Sequence, residues 1–403
     1  MSIVSLEARH VRIRLRRPVK HASHSRTETD NLVVVCKLAD GKIGYGEGVP
    51  REYVTGETID SAMSLLGESD LANRLTPCAN FAEALTLAES FKLKPIPGDD
   101  RECRGNAARC AVELALLDAY GRSFGEPLMN VTRELAPELY EPRERVQYSG
   151  VILSAKGWKS RLLALIYRIQ GFHQIKVKVG IPGIDDAKRL KSLRRVLGSQ
   201  REIRLDANEA WSPCEVLDRI RALERFGIAS VEQPVPHGNT SSLTAVRQQT
   251  KVPIMLDESL CGLVDAQRAV DAGTCDIFNL RLSKCGGFIP TLRLAQFAVK
   301  RNLGYQLGCQ VGETGILSAA GRHFATSVKG IRNLEGSFDR HLVWDPLTTT
   351  DLTFGRGGWA PALVGRGLGV ALKRASGWLR LSAFQSGDYR LCCFHSFSHL
   401  VLS

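Results

Sequence analysis

Gln174-Ile-Lys-Val-Lys-Val-Gly180, Arg204-Leu-Asp-Ala-Asn-Glu209, Ser230-Val-Glu-Gln-Pro234, Pro253-Ile-Met-Leu-Asp-Glu-Ser259 and Phe278-Asn-Leu-Arg-Leu-Ser-Lys-Cys-Gly-Gly287 share one form, a short apolar run with charge at its C-terminal end. The acids Asp206, Glu232 and Asp257 fall between Lys176 and Lys178 on one side and Arg281 and Lys284 on the other. Working outward, an alternation of strand and helix begins near residue 147. Strands are expected near 147–153, 174–179, 202–207, 229–233, 253–257, 277–282, 304–309 and 331–335, and helices at 184–197, 213–226, 264–272 and 290–302. Ser212-Pro-Cys-Glu215 reads as a capping box with proline at the first helical position. A repeat of roughly 25 residues with about eight strands predicts a closed α/β barrel. An open doubly wound sheet is the alternative, but no glycine-rich phosphate fingerprint follows the first strand.

On the N-terminal side, 3–15, 31–38 and 42–47 read as strands in hairpin order, with a turn at Ala39-Asp-Gly41 and a polar loop over His21-Ala-Ser-His-Ser-Arg-Thr27. The glycine-rich run from Gly44 to Glu57 reads as mostly irregular, and from Thr58 to Phe124 the periodicity turns helical, clearest over 106–120. The expected organisation is an α+β domain over 1–130, the barrel over 145–345, a return of 346–381 to the first domain, and a tail over 382–403 without an assigned role.

A chain of 403 residues accommodates a barrel of about 250 residues and a second domain. Its apolar fraction of 44% and charged fraction of 24% are ordinary for a globular protein. No apolar run approaches the ~20 residues that span a bilayer. The basic N-terminus is not followed by an apolar core and cleavage site. A cytoplasmic protein without membrane association is expected. Eleven cysteines are scattered, with Cys36, Cys261, Cys275 and Cys309 in or beside apolar segments and no C-x-x-C pair. Adjacent Cys392-Cys393 is poor geometry for a shared metal, so reduced structural thiols are expected. The net charge of +12 raises nucleic acid as a partner. Yet basic residues interleave with leucines, as in Lys188-Arg-Leu-Lys-Ser-Leu-Arg-Arg195, which is the pattern of a solvated helix face, and no nucleic-acid motif accompanies them. The field favours anionic substrates such as carboxylates.

In such a barrel the reacting groups come from the C-terminal ends of several strands. Asp206, Glu232 and Asp257 would end the third, fourth and fifth. Three unpaired carboxylates side by side repel one another, and a divalent cation removes that penalty; all-oxygen ligation suits Mg²⁺ or Mn²⁺. The alternative is that each acid pairs with an arginine on a neighbouring strand, but three acids at matching strand ends favour the metal. Lys176 and Lys178 share one face of the second strand. Beside a metal-bound substrate a lysine becomes a usable base: Lys178 is the candidate, and Lys176 would hold the substrate or depress its neighbour's pKa. As surface residues the two would simply be solvated. Glu313, in Gln310-Val-Gly-Glu-Thr-Gly315, follows the seventh strand and Glu335 ends the eighth. Each could bind substrate, orient a lysine or cap a helix.

Lys176-x-Lys178, Asp206-x-Asn208, Glu232-Gln-Pro, Asp257-Glu-Ser, Lys284-x-Gly-Gly and Gly44-x-Gly-Glu…Thr55-Gly-Glu closely resemble the enolase superfamily, in particular its muconate-lactonizing-enzyme subgroup, over about residues 3–380. The resemblance implies an N-terminal capping domain over a (β/α)7β barrel, one Mg²⁺ held by Asp206, Glu232 and Asp257, and removal of a proton α to a carboxylate through an enediolate. Subgroup members that epimerise carry a second lysine where this chain has Arg281, and arginine is a poor base because it stays protonated. One-base chemistry, cycloisomerisation or syn-elimination of the o-succinylbenzoate-synthase kind, is therefore the first expectation. The Thr55-Gly-Glu loop resembles that of dipeptide epimerases, whose paired aspartates on the eighth strand would fall at Asn333 and Glu335, so dipeptide or N-acylamino acid epimerisation is the second. A non-catalytic binding member is the reading from another class. Loops over His21 to Arg26 and Arg51 to Thr55 are expected at the barrel mouth, with Arg26, Tyr53, Thr55, Asn208 and Glu335 as substrate contacts. The expected partner is a small carboxylate, and the chain is expected to assemble as a homo-oligomer.

Overall fold

Period-two alternation sets the barrel. Ile175 and Val177, like Ile203 and Leu205, are buried in the main hydrophobic core. The residues that alternate with them, Lys176, Lys178, Arg204 and Asp206, take the other face of the pleat. The computed structural model describes residues 1–20, 25–153, 157–373 and 388–393. Eight strands form one sheet in the order β12-β11-β10-β9-β8-β7-β6-β5. They are β5 (Gly150–Ile152), β6 (Gln174–Lys178), β7 (Glu202–Asp206), β8 (Ile228–Glu232), β9 (Ile254–Leu256), β10 (Ile277–Leu280), β11 (Gly304–Leu307) and β12 (Ile331–Leu334). All neighbours run parallel. The Ser149 N–H donates to the Leu334 carbonyl at 2.8 Å, joining the first strand's edge to the last. This is the closed barrel that the repeat predicts, in the (β/α)7β form that the family resemblance implies.

Helices Asp186–Leu197, Val216–Glu224, Leu263–Ala272 and Phe288–Lys300 occupy the expected gaps. Two local expectations fail. The helix after β7 starts at Val216 rather than at Pro213, and its N-cap, Glu215, makes no side-chain cap. Ser212 instead donates to Glu215 at 2.9 Å in a preceding turn. Nor is the Lys188–Arg195 run wholly solvated, because Arg189 is buried and its Nη1 donates to the Lys178 carbonyl at 2.6 Å. A guanidinium on a leucine-rich face thereby braces the end of β6.

The N-terminal sheet has the order β14-β1-β2-β3. β1 (Ile3–Lys20) and β2 (Ser25–Leu38) are longer than expected, so Arg26 lies in a strand; positions 21–24 of the expected loop lie outside the described residues. The turn after β2 is as read, with Gly41 at φ +80°. The strand expected over 42–47 is β3 (Ile43–Gly48), and the rest of the glycine-rich run is less irregular than expected, with a short helix at Glu52–Thr55. The glycines of β3 answer the alanines of the helix Asn106–Phe124. A Cβ on Gly44, Gly46 or Gly48 would lie 2.2, 1.9 or 2.0 Å from backbone atoms of Ala119, Ala111 and Ala107. Glycine on the strand and alanine every fourth residue on the helix let two backbones approach closely.

β4 (Arg145–Gln147) pairs with β13 (Trp359–Pro361) beside the barrel. Beyond it the chain meets the long helix again: the Leu368 N–H donates to Asp118 at 2.8 Å, and the Leu128 N–H to the Gly367 carbonyl at 2.8 Å. β14 (Asp388–Cys393), within the stretch left without a role, pairs antiparallel with β1.

Candidate active site

Parallel register puts the strand-end acids side by side: Lys178 is opposite Asp206, and Asp206 is opposite Glu232. Asp257 follows β9 directly. Lys176 Nζ stands 3.1 Å from Asp206, 3.0 Å from Glu232 and 3.0 Å from Glu335. Burial works against this ammonium, but the three acids outweigh it and hold its pKa well above the usual lysine value. Glu335 is also gripped by Arg204, at 3.0 Å, so burial is overcome and its pKa is lowered. Asp257 is paired with the guanidinium of Arg281, on the neighbouring strand's end, and with Lys284 at 2.8 Å. Despite burial, those two cations keep its carboxyl below the ordinary range. Arg281 also lies 3.8 Å from Glu232. The acids are thus not unpaired, as the sequence reading assumed. Arginine pairing holds at Asp257, whereas a lysine serves the others.

Lys178 differs from its neighbour. Burial lowers its pKa below the ordinary lysine value, and the fixed charge of Lys176 adds to the effect against the pull of Asp206. Lys176, Lys178, Asp206, Asn208, Glu258, Arg281, Glu313 and Glu335 line one cavity of about 180 Å³ with Arg26 and Tyr53. Arg26 and Tyr53 also touch each other, the guanidinium 5.7 Å from the ring centre. Glu232 and Asp257 are wholly buried and do not line it.

The N-terminal domain fixes the loop that carries Glu313. Buried Glu47 accepts from the Thr314 N–H at 2.9 Å, the Thr314 hydroxyl at 2.7 Å and the Leu317 N–H at 3.0 Å. Asn31 donates to the Gly312 carbonyl at 2.8 Å, and Arg51 to the Val311 carbonyl at 2.6 Å. Gly312 has φ +94°, and a Cβ there would meet Thr29 at 2.4 Å. Glu313 accepts from the Gln310 N–H at 2.6 Å, and burial pushes its carboxyl up to about 8. It orients no lysine directly among the described contacts.

Besides Glu232 and Asp257, two more expected site residues do not line the cavity. Lys284 is fully buried and donates to Asp257 Oδ1, the Asp257 carbonyl and the Asn279 carbonyl at 2.7–2.8 Å. With its three protons committed, it positions Asp257 rather than meeting substrate. Thr55 is buried in the short helix Glu52–Thr55, and its hydroxyl turns back to the Arg51 carbonyl at 3.4 Å. Three other residues escaped the sequence reading. Arg204 lies two residues before Asp206 on the same strand face, and that spacing was an available signal. Glu258 follows Asp257 and accepts from Asn208 at 3.3 Å. Asp339, on the short helix Asp339–Leu342, carried no signal.

The donor set suits a hard divalent cation in kind: three carboxylates, two of them in register. Glu232 Oε1 accepts from Lys176 and Asn279, while its buried Oε2 has no hydrogen-bond partner among the described residues. Burial, with Asp206, Glu335 and Asp257 nearby, raises that carboxyl to about 8, a cost that a cation would relieve. Among the described residues no three acidic, histidine or cysteine side chains already stand as a metal cluster. Arg281 is the competitor for Asp257.

A capped parallel barrel with acids and lysines at adjoining strand ends defines the class, and sequence comparison agrees. Residues 161–376 match the enolase C-terminal domain-like family, and residues 3–131 the mandelate racemase / muconate lactonizing enzyme N-terminal domain. The chain belongs to the enolase superfamily of enzymes. It is 31% identical over 351 residues to an L-Lys-D/L-Arg epimerase of Methylococcus capsulatus, covering 84% of this chain and 91% of that one. To a hydrophobic dipeptide epimerase of Enterococcus faecalis it is 29% identical over 358 residues, 86% and 94% of the two chains. The crystal structure of an N-succinyl Arg/Lys racemase from Bacillus cereus superposes with a TM-score of 0.80 at 25% identity, covering 97% of this chain and 100% of that one. The Methylococcus capsulatus dipeptide epimerase, crystallised with Mg and the dipeptide L-Arg-D-Lys, gives 0.77 at 29%, covering 92% and 99%. No helix among the described residues is long and apolar enough to cross a membrane.

Proposed function

We propose that this enzyme removes and returns the proton on the carbon beside a substrate carboxylate, in a dipeptide or N-acylated amino acid, with Lys178 as the base. The observation that carries the reading is the division of labour at the end of β6. Lys176 is locked as a cation by three acids, while Lys178 has its proton affinity lowered and lines the cavity. A lysine shifted toward neutrality can take a proton at physiological pH. Asp206, Glu232 and Asp257 would hold Mg²⁺ or Mn²⁺, which when bound supplies positive charge against the charge that builds on the substrate carboxylate as the proton leaves. Arg281 offers a permanent positive charge to that carboxylate. Glu313 keeps its proton to about pH 8 and can donate a hydrogen bond from the same cavity wall.

The relatives named as epimerases and racemases support epimerisation or racemisation over the first sequence expectation, muconate-type cycloisomerisation or syn-elimination. Arg281 keeps that second reading in view, because a guanidinium supplies no base on the opposite face. Exchange in deuterated water with Mg²⁺ decides between them. An epimerase exchanges the α-proton of both epimers and interconverts them; one-face chemistry exchanges one epimer with retention. Lys178→Ala should slow exchange by about 10²–10⁴-fold, while calorimetry still registers Mg²⁺ binding. Persistent exchange in that variant removes Lys178 from the role. A wild type that turns over no dipeptide, N-acylamino acid, muconate or succinylbenzoate precursor points to a non-catalytic binding member.

A further inference from the structure

Asp339 is a buried acid that the reaction above does not use. It opens the short helix that follows β12, is 2% exposed, and lines the cavity together with Ser318, Ser337 and Glu313. Its Oδ1 accepts from the Ser318 hydroxyl at 2.6 Å, which fixes the carboxyl plane. Its Oδ2 has no hydrogen-bond partner among the described residues. A buried carboxylate oxygen with nothing to accept is costly, and native interiors rarely keep one without a function.

The charges around it sharpen the chemistry. Burial is the main reason its carboxyl is pushed up to about 7, and Glu47 and Asp351 add to the effect. Arg322 is the cation that opposes it, but that guanidinium is spent on neutral oxygens: the Tyr148 hydroxyl at 2.8 Å, the Pro361 carbonyl at 2.9 Å, Ser337 Oγ at 3.0 Å and the Leu352 carbonyl at 2.8 Å. A neutral donor would satisfy the hydrogen bond and leave the negative field uncompensated. A cationic donor answers both.

We infer that Asp339, held by Ser318, is a specificity-determining subsite for a cationic group, an ammonium or guanidinium, on the substrate's side chain. The inference rests on the proposed reading of the cavity as a site for dipeptides or N-acylated amino acids. Arg17 and Arg26, which reach the same cavity from β1 and β2, leave an anionic end for the remainder of the substrate.

The test is calorimetric binding, with Mg²⁺ present, of N-acetyl-L-arginine against N-acetyl-L-citrulline, which has the same outline without the charge. The wild type should favour the arginine ligand by about tenfold or more, the worth of a charge-assisted hydrogen bond. Asp339→Asn should bring the ratio within about threefold. Ser318→Ala, which leaves the carboxyl but removes its anchor, should lower the ratio without abolishing it, and it carries the test if the first variant does not fold. A wild type that binds neither ligand or shows no preference overturns the inference, as does a ratio unchanged in the variants. Solvent exchange on the same ligands separates the two proposals. Preference without exchange sinks the reaction and spares the subsite, and exchange without preference does the reverse.

Discussion

Arg281 and Lys178 reach one cavity from strands on different sides of the acids, and they differ in whether the side chain can give up its proton. At Lys178 burial lowers the pKa; at Arg281 Asp257 and its neighbours overcome burial and raise it well above an already high value. Arg281→Lys puts a titratable amine in the same place. It should therefore raise α-proton exchange of the slower epimer by tenfold or more, on the order of 10²-fold at best, read by proton NMR in deuterated water. Unchanged exchange would mean that the opposite face is served by another group. Arg204 shows why part of the site was illegible: its spacing from Asp206 marks its strand face but not its partners. Its partners Glu335, Gln306 and Ser149 lie more than fifty residues away in sequence. A lone arginine in an apolar strand gives no hint of which acids it will meet, whereas Asp206, Glu232 and Asp257 announced themselves by a shared position at their strands' ends.

At the scale of elements, the strand–helix contact in the N-terminal domain is a backbone contact. Gly46→Ala sets a Cβ 1.9 Å from the Ala111 carbonyl, which no side-chain rotation relieves. A loss of about 3 kcal/mol or more is expected in urea unfolding. Gly67→Ala, in the helix Ile59–Glu68 with nothing within 4 Å of the added methyl, should instead stabilise by about 0.5–1 kcal/mol. The long helix has its own pH sensitivity. Glu57 accepts from the Ala107 N–H at 3.1 Å, and burial pushes its carboxyl from 4.5 up to about 8. Between those values the folded state holds a proton that the unfolded chain has released. Glu57 therefore takes away stability as pH rises through this window, and the loss is complete above the upper value. Glu57→Gln should raise Tm by about 2–4 °C or more at pH 8.5 and leave it near the wild-type value at pH 5. An equal shift at both pH values would remove the titration from the explanation.

For the molecule as a whole, the barrel was legible because its signal is periodic and repeated, so an error at one helix start, as at Ser212-Pro-Cys-Glu215, left the architecture intact. The N-terminal half was read less well. The strand over 42–47 was legible, but nothing in the sequence placed the alanines that receive its glycines opposite them, and β1 and β2 extend through positions that looked polar enough to turn. The barrel also depends on that half for the shape of its own loop. Residues 145–373 expressed alone lose the contacts of Glu47, Asn31 and Arg51 to residues 311–317. They should show a weaker thermal transition by circular dichroism than the full chain, and adding residues 1–131 in trans should restore it in part.

The same hydrogen bonds limit how this enzyme can be re-engineered. Anyone exchanging mouth loops between relatives to change selectivity would be moving half of a lock. β2 and β3 and the turn after β11 are cut to one another, and a chimera that imports one without the other inherits a mismatched hinge before it meets any new ligand.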